Sequence, residues 1–136
     1  MGFWCYMLVI SMLLPVTMLV VGSFFIKKTP RSINALFGYR TRRSMQNQQT
    51  WHFAHQHCGR IWLWSGIALL LISVAAMIGV IGQSVKVIGY VGAGTAVLPF
   101  LPMIFSVIST QRALKREFDE YGRRRNKNAE KNDDGA

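Results

Sequence analysis

Acidic residues are absent from most of this chain. No Asp or Glu occurs before Glu117, although the sequence contains 136 residues and six acidic side chains. Carboxylate proton relays, paired acid and base groups, HExxH zinc peptidases and Asp-supported triads all need carboxylates inside the fold. The sequence therefore excludes these classes of site from residues 1–116.

Charge of either sign is also absent from three long stretches. Uncharged apolar runs cover about 3–26, 61–85 and 87–111, with only Lys86 between the last two. Each run exceeds the roughly 20 residues that a helix needs to cross a bilayer. The sequence predicts an all-α integral membrane protein with three transmembrane helices. Residues 1–111 would form the membrane module, with a motif loop over 27–60, and 112–136 a charged, largely disordered cytoplasmic tail.

The basic residues indicate an orientation. The loop after the first span carries seven Lys and Arg residues, the turn after the second carries Lys86 alone, and the tail carries the other eight. Because basic loops stay on the cytoplasmic side, we expect the motif loop and C-terminus inside and the N-terminus outside. The net charge of +10 is explained by topology, with contact between the tail arginines and anionic lipid as an alternative. We expect the lipid bilayer as a partner and no nucleic acid.

Glycine and proline residues occur within the predicted spans. Glycines of the second and third spans are predicted to form the packing seam of the helices: Gly66, Gly79, Gly82, Gly89, Gly92 and Gly94. Pro15, Pro99 and Pro102 indicate bends. An alternative function follows from the same residues, namely a small-solute or lipid-handling protein with its site between broken helices.

A further helix is predicted just before the second span. Ser44 is a suitable cap, and Trp51, Ala54 and Cys58 recur at helical spacing. We expect this helix over about 45–58, lying at the interface or continuing into span two. Trp51 would sit near the headgroups, where indole rings are favoured.

Histidine and cysteine cluster on this helix. His52 and His55 share one face, His55 and Cys58 share another, and His57 points away. A metal site or a thiol enzyme is an alternative, since imidazole and thiolate bind zinc and copper. Interfacial polar side chains explain the cluster better, so we predict no metal, no cofactor and no catalytic residue, with His52, His55 and Cys58 as the weak metal candidates.

Arg40 is the basic residue with the most distinctive neighbours. Gly38, Tyr39 and Thr41 flank it and Asn34 precedes it. A guanidinium in such a turn can offer a planar fork to an anion, and no acid in this loop would neutralise it. Setting the topology explains the other loop arginines, but it does not explain the turn residues around Arg40.

One ordered set of residues stands just ahead of the second span: Asn34, Gly38-Tyr39-Arg40-Thr41, Ser44-Met45, Asn47, Thr50-Trp51, Ala54 and Gly59. This set resembles the signature of the SdpI-type family of bacterial integral membrane proteins. The likeness covers roughly residues 30–66 at motif level and the three-span layout more loosely.

The resemblance implies an immunity protein that protects a bacterium from a secreted, membrane-active peptide toxin. It also implies signalling through a cytoplasmic regulator, because the founding member holds a transcriptional repressor at the cytoplasmic membrane. By that likeness, the toxin- or partner-binding residues would be Asn34, Gly38, Tyr39, Arg40, Thr41, Ser44, Asn47 and Trp51. The founding member has extra spans before this module, so fold and location transfer more readily than toxin protection.

Overall fold

The described part of the chain contains four α-helices. The computed structural model describes residues 1–34, 36, 38–125 and 135. The helices are α1 (Gly2–Lys27), α2 (Gln48–Gly79), α3 (Val85–Val97) and α4 (Phe100–Glu117), and these described residues include no β-strand. Helices α3 and α4 together, Val85–Glu117, form the third segment that is long and apolar enough to cross a membrane. The predicted all-α architecture with three spans is confirmed.

Helix α2 is longer than the second span. Its apolar part, residues 61–79, rises about 28 Å at 1.5 Å per residue, close to the roughly 30 Å of a bilayer's hydrocarbon. The helix predicted ahead of this span is therefore its direct continuation, and Gln48–Arg60 extend beyond the hydrocarbon. The predicted cap at Ser44 is wrong: Asn47 caps the helix, accepting from Thr50 N at 2.9 Å while Thr50 Oγ1 accepts from Asn47 N at 3.1 Å.

The third segment is broken between α3 and α4. Leu98 still donates its backbone N–H to Gly94 O at 3.1 Å, whereas Pro99 has no N–H with which to continue the ladder. Pro15 and Pro99 are both fully buried in packed surroundings. The break is therefore a packed joint between two parts of one span.

The bundle buries small polar residues beside large apolar ones such as Met18 and Met77, and it exposes many large apolar residues. Fully or almost fully buried hydroxyl groups lie within the apolar helices, among them Ser11, Ser73 and Ser106. Large side chains such as Leu13, Leu71 and Phe105 are exposed instead. In water this distribution would be unfavourable, but it suits helices whose outer surface contacts lipid.

Glycines bring α1 and α2 into close contact. A Cβ added at Gly22 would lie 2.8 Å from Gly59 O and 2.9 Å from Leu63 N, and one at Gly66 would lie 3.1 Å from Pro15 O. Of the glycines predicted to form the packing seam, Gly66 thus contacts α1 closely, whereas Gly79, Gly82 and Gly94 have no atom within 4 Å of an added Cβ. Gly92 also packs on α1, against Met7.

The ends of α1 and α4 and the beginning of α2 lie together at what we call the basic end. The loop 28–47 is here, and residues 118–125 form a turn that is closed by an isolated bridge between Phe118 and Arg124. Gln46 Nε2 donates to Glu120 O at 2.6 Å, and Asn47 Nδ2 donates to Gly122 O. The predicted disorder of the tail falls mainly on residues 126–134 and 136, outside the described part.

Candidate functional site

The loop 28–47 is attached to α2 through a buried histidine. His55 Nε2 accepts the backbone N–H of Tyr39 at 2.9 Å, and His55 Nδ1 lies 2.7 Å from Trp51 O. Because Nε2 accepts, the proton of the neutral ring is on Nδ1, which donates to the carbonyl. Both ring nitrogens of His55 are thus occupied by backbone groups, and His55 is not available as a metal ligand.

Gly38 permits this attachment. Its φ is +110°, a region where side chains with a Cβ are strained, and an added Cβ would collide with His55 Nε2. The glycine that the sequence placed beside Arg40 is therefore required by backbone geometry and by the close approach of the imidazole. Its role in a binding surface is indirect, since it sets the path of Tyr39 and Arg40.

Ser44 closes the loop on itself. Its hydroxyl lies 3.1 Å from Tyr39 O and 2.9 Å from Thr41 O, and it accepts the N–H of Thr41 at 2.9 Å. Thr50 Oγ1 then donates to Ser44 O at 3.1 Å. These bonds fix the backbone on both sides of Arg40.

The start of the loop is held by two further side chains of α2. Trp51, which is fully buried, donates Nε1–H to Pro30 O at 2.8 Å. Gln56 donates to Ile26 O at 2.8 Å and so satisfies a carbonyl at the C-terminal end of α1. The predicted place of Trp51 among the headgroups is wrong, because its ring lies inside the fold.

Tyr39 connects the loop to α4. Its hydroxyl donates to Val107 O at 3.2 Å and accepts from Gln111 Nε2 at 3.2 Å. Burial raises the pKa of Tyr39 to about 12, with the hydrogen bond from Gln111 acting in the opposite direction. The ring is therefore a neutral strut between the loop and the last helix.

Arg40 differs from its neighbours in being exposed. It borders a cavity of about 380 Å³ whose walls come from α1, α2, α4 and the loop. The lining residues are Phe25, Gly38, Tyr39, Arg40, Thr41, Cys58, Trp62 and Val107. A cationic residue thus stands at an aromatic and apolar recess whose backbone is fixed by the bonds just described.

His57 and Cys58 also have partners within the protein. Cys58 is buried with its Sγ 3.9 Å from Ser106 Oγ, and His57 Nε2 lies 3.1 Å from Ser109 Oγ. Over the described residues, His, Cys, Asp and Glu form no group that could hold a metal ion. The alternative of a metal site built on His52, His55 and Cys58 is not supported by this arrangement.

The eight residues singled out from the sequence thus separate by environment. Tyr39, Ser44 and Trp51 are buried, Gly38, Thr41 and Asn47 are partly buried, and all six fix the loop. Asn34 lies in a separate turn, where its Oδ1 accepts the N–H of Leu36 at 3.1 Å. Of the eight, only Arg40 falls in the exposed class.

Sequence reasoning missed His55 and Gln56 as anchors of the loop. The sequence pattern indicated His55 only as a candidate metal ligand or base, and no pattern indicated Gln56. A histidine on the same helical face as Trp51 and Cys58 was the available signal. Tyr39, which His55 holds, and Ile26, which Gln56 holds, lie on other parts of the chain, and no sequence pattern indicates either contact.

The sequence of this chain matches a known protein family. The sequence model of the SdpI/YfhL protein family matches residues 31–110, which include the loop, α2 and most of the third segment. The Bacillus subtilis (strain 168) protein described as "Uncharacterized protein YfhL" is 36% identical over 52 residues, which are 38% of this chain and 47% of that protein. The chain thus spans about half the length of this curated relative. No solved structure matches. The chain is a multi-pass membrane protein that belongs to the SdpI/YfhL protein family.

Proposed function

We propose that this chain is a non-catalytic immunity-type protein that recognises a membrane-active peptide toxin through Arg40 and the cavity beside it. The observation that carries the proposal is the contrast in exposure at the loop: Tyr39 and Thr41 are buried or partly buried, whereas Arg40 is exposed at an aromatic recess of about 380 Å³. Family membership supports the class of function, since the SdpI-type resemblance implies toxin immunity.

The chemistry of the recess suits a peptide with both apolar and anionic groups. Phe25, Trp62 and Val107 offer apolar surface, and Arg40 offers charge-assisted hydrogen bonds to a carboxylate. In the orientation favoured by the basic loops, this surface faces the cytoplasm. It would then meet toxin that has already inserted, and a cytoplasmic regulator that reads the same surface would provide the signalling step.

Membrane depolarisation by secreted toxic peptides tests the proposal. Toxin-sensitive bacteria would express the intact chain, Arg40→Ala or Arg42→Ala, each at equal abundance in the membrane. Arg42 is the matched control because it is exposed in the same loop and does not line the recess. We expect protection by the intact chain and by Arg42→Ala, and loss of protection with Arg40→Ala.

Two results would overturn the proposal. Protection that survives Arg40→Ala would remove the recess from the mechanism. Failure of the intact chain against every peptide tested would remove immunity as the function, and cross-linking from residue 40 to cytoplasmic proteins would then test recognition of a regulator alone.

A further inference from the structure

Two adjoining cavities lie at the basic end, separate from the recess beside Arg40. The first, of about 520 Å³, is lined mainly by the extension of α2 together with Phe118 and Arg124 of the returning segment. The second, of about 700 Å³, is lined by the end of α1 and the start of the loop. Gln48 and His52 line both cavities, so the two form one continuous cleft, which we call the basic cleft.

The basic cleft has cationic walls throughout. Arg60 and Arg124 line its first part, and Lys27, Lys28 and Arg31 line its second part. None of the described residues that line either part is an Asp or a Glu. The positive potential of the cleft is therefore not neutralised from within, and an anion bound there would be attracted from both sides.

The first part of the cleft also has an apolar wall. Phe53 and Phe118 pack edge to face with their ring centroids 5.5 Å apart, and both rings border the cavity. Arg60 and Arg124 border the same cavity. A ligand for this site would therefore combine an anionic group with an apolar group. Free inorganic phosphate has no apolar group.

The position of the cleft relative to the bilayer indicates where such a ligand would come from. Arg60 immediately precedes the apolar run of α2, so it lies at the boundary of the hydrocarbon. Phe53 and His57 lie one to two turns, about 5–11 Å, farther along the helix. The headgroup layer on each side of a bilayer is about 5–8 Å thick. The first part of the cleft thus begins at the hydrocarbon boundary and passes through the headgroup layer.

We propose that the basic cleft binds the headgroup phosphate of an anionic phospholipid, with Arg60 and Arg124 on the phosphate and Phe53 and Phe118 beside the glycerol and the first acyl carbons. Phosphatidylglycerol has this chemistry. A zwitterionic lipid has it less well, because its choline or ethanolamine would bring a cation next to the two arginines. This lipid site shares no lining residue with the recess beside Arg40.

Binding of short-chain lipids to the purified full chain in neutral detergent tests this proposal. The probes are dihexanoyl phosphatidylglycerol, dihexanoyl phosphatidylcholine and glycerol 3-phosphate, with affinities measured by native mass spectrometry. The variants are Arg60→Gln with Arg124→Gln, Arg60→Lys with Arg124→Lys, and the control Arg42→Gln. Circular dichroism of each variant reports whether the helices form.

We expect the intact chain to prefer phosphatidylglycerol over both other probes. Loss of each arginine should weaken binding about fivefold, so the double Gln variant should lose about 25-fold while the double Lys variant keeps most of the affinity. Equal loss with Arg42→Gln would show a general effect of net charge and overturn the assignment. Equal binding of glycerol 3-phosphate, equal binding of phosphatidylcholine, or no binding by the folded intact chain would each overturn it as well.

Discussion

The two ends of this helical bundle are held together by different means. At the basic end, side chains of α2 reach backbone groups far away in sequence, as in the bonds from Tyr39 to His55 and from Trp51 to Pro30. At the opposite end, residues 81–87 are exposed and the turn is closed by short backbone bonds such as Ile81 N to Ile78 O at 3.2 Å. A long-range side-chain bond described there joins Trp4 Nε1 to Met77 O at 2.8 Å.

The difference shows what each environment demands. A loop of some twenty residues outside the hydrocarbon cannot rely on lipid to confine it, so polar anchors must specify its conformation. Within the apolar part, polar anchors are scarce and close approach of backbones supplies the packing. Making the same type of substitution in both regions therefore measures the contribution of the polar anchors and that of backbone packing separately.

The largest expected effect concerns the two tryptophans of α2. Trp51 is fully buried and donates to Pro30 O, whereas Trp64 is 70% exposed on the apolar surface. We expect Trp51→Ala to lower the free energy of unfolding in micelles by about 4 kcal/mol, because it leaves a large cavity and an unpaired carbonyl. Trp64→Ala should cost less than about 1 kcal/mol. Equal losses would contradict the claim that the basic end depends on this anchor.

The next effect compares two glycines within the apolar part. Gly22→Ala should cost about 2 kcal/mol, because the added Cβ would meet the backbone of α2 at Gly59 and Leu63. Gly94→Ala should cause no loss, since a Cβ there meets nothing within 4 Å and alanine favours the helix. Denaturant titration in micelles measures both. A destabilised Gly94→Ala would place part of the seam on α3 instead of on α1.

A smaller effect compares the caps at the two ends. Asn47 accepts from Thr50 N at 2.9 Å and takes part in a reciprocal capping box, whereas Ser84 accepts from Val87 N at 3.5 Å. We expect Asn47→Ala to cost about 1 kcal/mol and Ser84→Ala about half as much. Hydrogen exchange of the first turns of α2 and α3 would resolve the two, and the reverse order would contradict the comparison.

The smallest expected effect is that of the Tyr39 titration, because its contribution to the free energy of unfolding changes only well above neutral pH. Its pKa is about 12 in the folded chain, against an ordinary value of about 10. The folded state therefore holds this proton more tightly, so the contribution is complete below pH 10 and is lost as the pH rises through 12. Tyrosinate absorbance should show one late component that Tyr39→Phe removes. Its persistence in that variant would assign the component to another tyrosine.

Part of this structure could be predicted because it depends on composition and spacing. Uncharged runs indicated the spans, and the recurrence of Trp51, Ala54 and Cys58 at helical spacing indicated the helix that precedes the second span. The Ser44 cap was wrong because Ser44 and Asn47 are both good caps, and the choice depends on Ser44 being needed inside the loop. The direction of the glycine seam depended on which helices are neighbours, which no local pattern encodes.

For the candidate site, the sequence indicated a segment, and the structure shows that most of its residues make contacts that fix the loop. Gly38, Tyr39 and Ser44 resemble binding residues in a list, yet their contacts are with His55, Val107 and each other. Polar residues that brace a loop and polar residues that meet a partner have the same composition. Arg40 differs from these residues in its exposure, and exposure is a property of the folded chain.

The bonds from Gln46 and Asn47 to the returning segment have a consequence for biogenesis. Their acceptors lie 74 and 75 positions later in the chain. A ribosome makes the loop first, and chains are ordered from their N-terminal side during synthesis. We expect the loop to remain incompletely ordered until the last helix has inserted and residues 120–122 have emerged. An ordered loop would then indicate that the whole bundle has been inserted into the membrane.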